Sequence, residues 1–288
     1  MEQLMDLHVH SQHSDGILTP SELVRRASSK GVKVIALADH DNLDGIDEAL
    51  REGKLVGVDV VPAVELSVTY KIFDDVHLLG YYINHHDETF ERILANYRSE
   101  RNTRNAKMIE KINIRLSVHG KGHITISEVE SLAAGAIGRP HIARILVEKG
   151  FAHDIQDAFE KYLIPCNVTK KYFPMEEAIN EIKRIGGVAV LAHPQSITQD
   201  RKTLAALVAD LALIGLDGLE VFNNMCYKDD IFFLENLARS LNLIMTGGSD
   251  FHGFEEGVEI GTGRGGLSIP CSLLDPLKLK ASQPSAPA

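Results

Sequence analysis

Short apolar runs that stop abruptly on a histidine or a carboxylate recur along this chain, and that repetition limits the folds open to it. Val32-Lys33-Val34-Ile35-Ala36-Leu37-Ala38 is almost continuously apolar, as expected of a strand buried on both faces of a parallel sheet. It stops at Asp39-His40-Asp41. Val188 to Ala192 stops at His193-Pro194, and Leu243-Ile244-Met245-Thr246 leads into Gly247-Gly248-Ser249-Asp250-Phe251-His252. A run from Val56 to Val61 continues into Pro62-Ala63-Val64-Glu65-Leu66-Ser67. The first run, Met5 to Val9, carries a histidine inside it and another just past its end. Alternate side chains of a strand share a face, so His8 and His10 are expected to project one way, Leu7 and Val9 the other. After the turn Ser11-Gln12-His13-Ser14, Asp15-Gly16 places a carboxylate where the chain can bend back over the strand end.

Helical signals fill the gaps. Thr19 reads as an N-cap, Pro20 as the first helical residue and Glu22 as the partner in a capping box, with the helix ending at Gly31. Further helices are predicted at about Asp44 to Glu52, Met175 to Ile185, Lys202 to Ile214 and Asp229 to Leu241. Strands alternating with helices predict an α/β fold with a parallel barrel, and His8, Ala36, Val61, Leu79, Val190, Val221 and Ile244 mark its strands. In such a barrel His8, His10, His40, Glu65, His193, Asp250 and His252, all at strand C-termini, converge on one rim. His77 instead opens its run, His77-Leu78-Leu79-Gly80-Tyr81-Tyr82, a placement that a parallel barrel does not explain.

From about Asp87 to Leu116 the rhythm becomes helical and charged, with Phe90, Ile93, Leu94, Tyr97, Met108, Ile109 and Ile112 as its apolar stripe. Short helices are predicted at Ser127 to Ala133, Pro140 to Lys149 and Asp154 to Tyr162. Residues 90–171 therefore read as a helical insertion that divides the barrel domain into 1–89 and 172–280, and the Pro- and Ser-rich end of 281–288 reads as disordered.

A formal net charge of −10 argues against a protein that clamps duplex DNA, which needs an extended basic face. No apolar run reaches the ~20 residues that span a bilayer. Cys166, Cys226 and Cys271 are too scattered for a disulfide framework, no basic-then-apolar leader opens the sequence, and a reduced cytoplasm is expected. Clustered imidazoles and carboxylates are costly to bury without cations. Mixed ligands of this kind suit zinc, manganese or iron and disfavour calcium, which prefers oxygen alone.

His8-X-His10, Ser14-Asp15-Gly16, Asp39-His40-Asp41, Glu65, His77 with Gly80-Tyr81, Ala192-His193-Pro194 and Ser249-Asp250-X-His252 resemble, in order, the motifs of the PHP (polymerase and histidinol phosphatase) phosphoesterases. The resemblance implies a distorted (β/α)7 barrel with three divalent metal ions at its rim. It implies one ion on His8, His10, Glu65 and Asp250, a second on Glu65, His77 and His193, and a third on Asp15, His40 and His252. Asp15, His40, Glu65, His193 and Asp250 are then the catalytic set, and a metal-bridged hydroxide is expected to attack phosphorus. Asp39 and Asp41, flanking His40, are candidates to orient its ring.

The insertion, with Gly138-Arg139-Pro140-His141-Ile142-Ala143-Arg144, Phe159-Glu160-Lys161-Tyr162-Leu163 and Lys170-Lys171-Tyr172, resembles the helical cap of one PHP subgroup. That subgroup hydrolyses nucleoside 3′,5′-bisphosphates and trims short 5′-phosphorylated RNA, so a small phosphorylated nucleotide or a single-stranded RNA 5′ end is the expected partner. Arg139, His141, Arg144, Lys161 and Lys170 are candidates for a second anion pocket over the metals. A histidinol phosphate phosphatase is the alternative within the class, and a noncatalytic structural metal domain the alternative outside it. His85, His86, His119, His123 and His153 fall in polar turns or helix ends away from strand termini and read as surface residues.

Overall fold

The computed structural model describes residues 4–132, 137–169 and 171–283. Its strands are β1 (Leu4–Val9), β2 (Val32–Leu37), β3 (Asp59–Tyr70), β4 (Phe73–Tyr81), β5 (Phe173–Pro174), β6 (Val188–Leu191), β7 (Gly218–Phe222) and β8 (Ile244–Gly247). Between them lie α1 (Pro20–Ser29), α2 (Ile46–Val56), α3 (Glu88–Val118), α4 (Ile126–Glu130), α5 (Arg139–Glu148), α6 (Ile155–Ala158), α7 (Met175–Arg184), α8 (Arg201–Leu213), α9 (Lys228–Ser240) and α10 (Leu274–Ala281). The strands form one sheet in the order β1-β2-β3-β4-β6-β7-β8, with the two-residue β5 attached to β3. The fold is mixed α/β around this central sheet. Among the described residues no helix is long and apolar enough to cross a membrane.

The seven strands marked in the sequence are all present, but they are not all parallel. β4 runs antiparallel to both β3 and β6, whereas the other sequential neighbours along the sheet are parallel. The reversal is made at Lys71-Ile72, with Lys71 at φ 54°, a hairpin without the Asn-Gly or Asp-Gly pair that announces such turns. It also accounts for His77. Because β4 runs backwards, its first half lies at the sheet edge where β3 and β6 end: His77 pairs with Ser67, and its carbonyl accepts the Ala192 N–H.

β1 corrects a second expectation. Its register against β2 slips between Asp6 and Val9. Leu7 packs with Met5, Ala36 and Leu79, while Val9 packs with Leu23, Ile35 and Leu37 in a different layer. Leu7 and Val9 thus do not share a face, and an irregularity of the β-bulge kind turns His8 toward the side of His10.

The capping box at α1 forms as expected, with the Glu22 N–H donating to Thr19 Oγ1 and the Thr19 N–H to Glu22 Oε2. The insertion begins inside a single helix of 31 residues, α3. Phe90 and Leu94 near its start join the cluster of Val64, Leu66, Ile179 and Ile182. Met108, Ile112 and Leu116 near its end join a separate cluster with Ile142, Leu146 and Tyr162. The last short helix continues from α6 as a π-helical turn over Phe159–Leu163. At the C-terminus α10 occupies 274–281, which the sequence reading passed over, and 284–288 fall outside the described residues.

Gly248 follows β8 where it meets β1, and a Cβ there would lie 2.2 Å from His8 Cβ and 2.5 Å from its backbone nitrogen. Gly248→Ala is expected to cost about 1–3 kcal/mol by overpacking. Urea denaturation checks this: the midpoint falls while the slope m stays constant.

Candidate metal centre

The candidate ligand side chains come from the ends of β1, β2, β6 and β8 and from inside β3 and β4. His8 Nε2 lies 3.4 Å from both Glu65 Oε2 and Asp250 Oδ1, and His10 Nε2 lies 3.3 and 3.1 Å from the same two atoms. The other Glu65 oxygen, Oε1, is 2.9 Å from His77 Nδ1 and 3.0 Å from His193 Nε2. His40 bridges two parts of the cluster, with Nδ1 3.0 Å from Glu65 Oε2 and Nε2 3.6 Å from Asp15 Oδ2. Asp15 Oδ1 in turn sits 3.2 Å from His252 Nε2. All the residues singled out as ligands therefore meet in one cluster. Within this cluster three groups have ligand atoms within 4.8 Å of one another: His8, His10, Glu65 and Asp250; His10, Asp15, His40 and His252; and His40, Glu65 and His77; a fourth group among the described residues, Asp47, His85 and His86, lies apart on the surface.

These residues fit cations. His8 Nε2, His10 Nε2, Asp15 Oδ1, His40 Nδ1 and Glu65 Oε2 are buried atoms without a hydrogen-bond partner. Buried polar atoms are rarely left unpaired, because the cost is borne by the fold. Atoms that converge without hydrogen-bond geometry, each offering a lone pair, form the shell of a metal site, and mixed imidazole and carboxylate donors suit transition metals. The charges reinforce this. Burial opposes ionisation of Glu65, yet His40, His77 and His8 hold its carboxyl well below the usual range. Burial likewise opposes protonation of His8, but Glu65, Glu220 and Asp250 raise its pKa well above the ordinary value. His40 goes the other way, with burial pushing its pKa down to about 4 against the pull of Glu65 and Asp15.

A set of supporting contacts fixes the ligands. Glu220 Oε1 is 3.0 Å from His8 Nδ1, and Glu220 Oε2 accepts the His193 N–H at 2.6 Å. His193 Nδ1 is 2.8 Å from Ser196 Oγ, which leaves Nε2 facing Glu65. Asp39 accepts hydrogen bonds from the Ser11 N–H and the Ser11 and Ser14 hydroxyls, so it shapes the turn that carries Asp15 rather than the His40 ring. Asp41 accepts the Ser67 N–H and pairs with Arg101 from α3. Asp41, His193 and Asp250 all have positive φ, at 50°, 21° and 52°. Backbone strain of this kind is held in place by its surroundings and concentrates at functional sites.

One cleft opens over the cluster. Asp15, His40, Ser67 and His77 line one side, and Arg101, Arg104, Gly138, Arg139 and Phe159 the other. Arg139 stacks its guanidinium over the Phe159 ring, 5.9 Å from the centroid. His141 is buried, accepts the Gly138 N–H on Nδ1 at 3.0 Å, and leaves Nε2 without a partner. Arg144, half-buried, follows on the next turn of α5. Lys161 is not brought into the cleft: its exposed ammonium pairs with Asp157 at i, i+4. Lys170 falls outside the described residues. Arg101, Arg104 and Glu220 escaped the sequence reading. Arg98, Arg101 and Arg104 recur every three residues along α3, and Glu220 stands alone between Leu219 and Val221, signals that were available.

The sequence profile of the PHP domain matches residues 6–172. The chain belongs to the PHP domain family. This PHP chain is 34% identical over 255 residues to a 5′-3′ exoribonuclease of Haemophilus influenzae, spanning 88% of the chain and 91% of that protein. It is 32% identical over 259 residues to the 3′,5′-nucleoside bisphosphate phosphatase of Chromobacterium violaceum, spanning 88% of each. A solved metal-dependent phosphoesterase from Bifidobacterium adolescentis superposes with a TM-score of 0.85 at 28% identity, covering 98% of this chain and 97% of the other.

Removing the Glu220 carboxylate frees the His8 ring and the His193 backbone together. Glu220→Ala is expected to weaken metal binding about 10- to 100-fold, measured by competition with a chromophoric chelator. His141 supplies a pH test. Burial lowers its pKa to about 4. A base depressed in the fold contributes stability that is present above its ordinary pKa and is lost as pH falls toward the lowered value. Stability is therefore expected to drop between about pH 6.5 and pH 4. Comparing His141→Gln with wild type in metal-free buffer isolates this part, and identical pH profiles would show that His141 is not buried as a neutral ring.

Proposed function

We propose that this PHP protein is a metal-dependent phosphoesterase that removes the 3′-phosphate of nucleoside 3′,5′-bisphosphates and trims short 5′-phosphorylated RNA. The observation that carries this reading is the shared cleft, in which metal-ligand residues Asp15, His40 and His77 face the guanidinium residues Arg101, Arg104 and Arg139. A substrate with two phosphates needs two anion sites at a fixed separation, and this cleft joins a cation site to an arginine site. The curated relatives, one a 5′-3′ exoribonuclease and the other a bisphosphate phosphatase, support the same pair of activities. A single-phosphate substrate such as histidinol phosphate would leave the arginine side without a ligand.

Three divalent ions, drawn from manganese, zinc and iron, would be held by the three sets inferred for them: His8, His10, Glu65 and Asp250; Glu65, His77 and His193; Asp15, His40 and His252. Ions bound there lower the pKa of water toward neutrality and neutralise charge that builds on phosphoryl oxygens. The chain's own residues do the rest. Glu65 presents both oxygens to the cluster and so holds the ligands of neighbouring sites in one frame. Arg101, buried and kept cationic although burial lowers its pKa to about 10, has an unpartnered Nε and binds the phosphate that is not cleaved. Arg139, His141 and Arg144 extend that anion site from the N-terminal turns of α5. The hydrophobic cluster of residues 108–166 supports treating 90–171 as a cap. The bridge between Val9 and Phe251 supports a sheet closed into a distorted (β/α)7 barrel. The wide spacing of Cys166, Cys226 and Cys271 along the chain accords with a cytoplasmic site of action.

The test is phosphate release from adenosine 3′,5′-bisphosphate by the manganese-loaded protein, with the remaining nucleotide identified. Adenosine 5′-monophosphate is the expected product, and His193→Ala is expected to abolish turnover. Losing a charged hydrogen bond to phosphate, Arg101→Ala is expected to raise KM roughly 10- to 100-fold. Protein that binds manganese yet releases no phosphate would exclude the bisphosphate as substrate.

A further inference from the structure

We infer that a second cleft, on the other side of the metal-ligand cluster from the arginines, receives the nucleotides downstream of the scissile phosphate in single-stranded RNA. This rests on the function proposed above. The cleft is lined by His193 and Asp250 of the cluster together with Asn223, Asn224, Met225 and Arg264. The arginine cleft instead borders Asp15, His40 and His77. The ligand cluster therefore separates two openings. A phosphate monoester carries one nucleoside, and one opening is enough for it. A phosphodiester carries two, so with the 5′-terminal nucleotide in the arginine cleft the rest of the chain leaves by the second.

The walls of this second cleft suit that occupant. The Arg264 N–H donates to Asn224 Oδ1 at 3.1 Å, and Asn224 Nδ2 donates to the Ser249 carbonyl, so the two loops are fastened to each other and to the strand end that carries Asp250. The Arg264 side chain is exposed at the mouth, placed for a phosphate. Met225, which lines the cleft, is 49% exposed, and Tyr227, two residues further along the chain, is 83% exposed; both are large apolar faces of the kind on which bases stack without regard to sequence. Glu255 also lines the cleft, and its carboxylate lies 3.9 Å from His252 Nδ1. In the hydrolysis the water oxygen bonds to phosphorus, the P–O3′ bond breaks and O3′ takes up a proton. The phosphate stays on the downstream strand as its new 5′-phosphate. The terminal nucleotide leaves as a nucleoside 5′-monophosphate, and the remaining strand is a substrate one nucleotide shorter.

The experiment compares adenosine 3′,5′-bisphosphate with 5′-phosphorylated pentaadenylate on manganese-loaded wild type, Arg264→Ala, Arg264→Lys and Tyr227→Ala. Both sites are exposed, so the variants are expected to fold normally. For the pentamer, Arg264→Ala and Tyr227→Ala are each expected to raise KM about tenfold, and Arg264→Lys to recover part of the loss. The salt slope of log KM for the pentamer should fall by roughly 0.7 in Arg264→Ala. Constants for the bisphosphate should stay within about twofold, since that substrate has nothing downstream of its phosphate. Equal effects on both substrates, or none on the pentamer, overturn the inference. If wild type hydrolyses the bisphosphate but no oligonucleotide, the downstream cleft is refuted while the phosphatase reading stands. Turnover of neither substrate refutes the phosphatase reading itself.

Discussion

The structure depends on one buried carboxylate. Glu65 is wholly out of solvent, and five imidazoles crowd it: His77 and His193 at one oxygen, and His8, His10 and His40 at the other, all within 3.4 Å. A carboxylate so placed is very unfavourable unless positive charge accompanies it. Protonated imidazoles supply some in the protein alone, and cations supply it better because they also use the lone pairs left unpaired. The sheet is the device that gathers these rings. Each arrives from inside a strand or from the segment just beyond its end, rather than from a long free loop.

That dependence explains which parts of the site the sequence discloses. A residue that closes an apolar run is conspicuous, so His10, His40, His193, Asp250 and His252 can be read directly. Glu65 reads as the end of a run and His77 as the start of one, and the topology corrects both placements. Both lie inside long strands of an antiparallel hairpin, β3 and β4, and their meeting depends on a turn at Lys71-Ile72 that has no glycine or asparagine to betray it. His8 is read correctly for an incomplete reason. Strict alternation would place Leu7 opposite it, but the register slip in β1 sends Leu7 inward as well. Arg101, Arg104 and Glu220 are harder still, since an arginine on a charged helix is ordinarily solvated and a lone glutamate in a strand has no partner until the fold brings one.

Strain at the strand ends serves the same end. His193 and Asp250 both leave the usual φ range where β6 and β8 finish. Asp41 does so one residue after His40. A strand that simply continued would carry these side chains past the cluster; the turn in the backbone directs them into it. The surrounding contacts are close enough to hold such conformations. Gly248 leaves no room for a Cβ beside His8, and Gly16 would bring one within 2.2 Å of the His10 carbonyl oxygen. The glycines let neighbouring backbone reach the histidines, and the histidines cannot then withdraw.

The helix α3 extends this rigidity to the arginine side. Its first turns are anchored in the main core through Phe90 and Leu94, and its last turns in the helical cluster through Met108 and Leu116. Midway, Arg98 donates to the Asp41 carbonyl at 2.7 Å while Arg101 pairs with the Asp41 carboxylate and donates to Ser67 Oγ. One continuous helix therefore fixes the distance between the guanidinium groups and His40, because both contacts are made to the residue next to that ligand. A jointed segment would let the arginines drift from the cluster; a helix anchored in both cores keeps them in register with it.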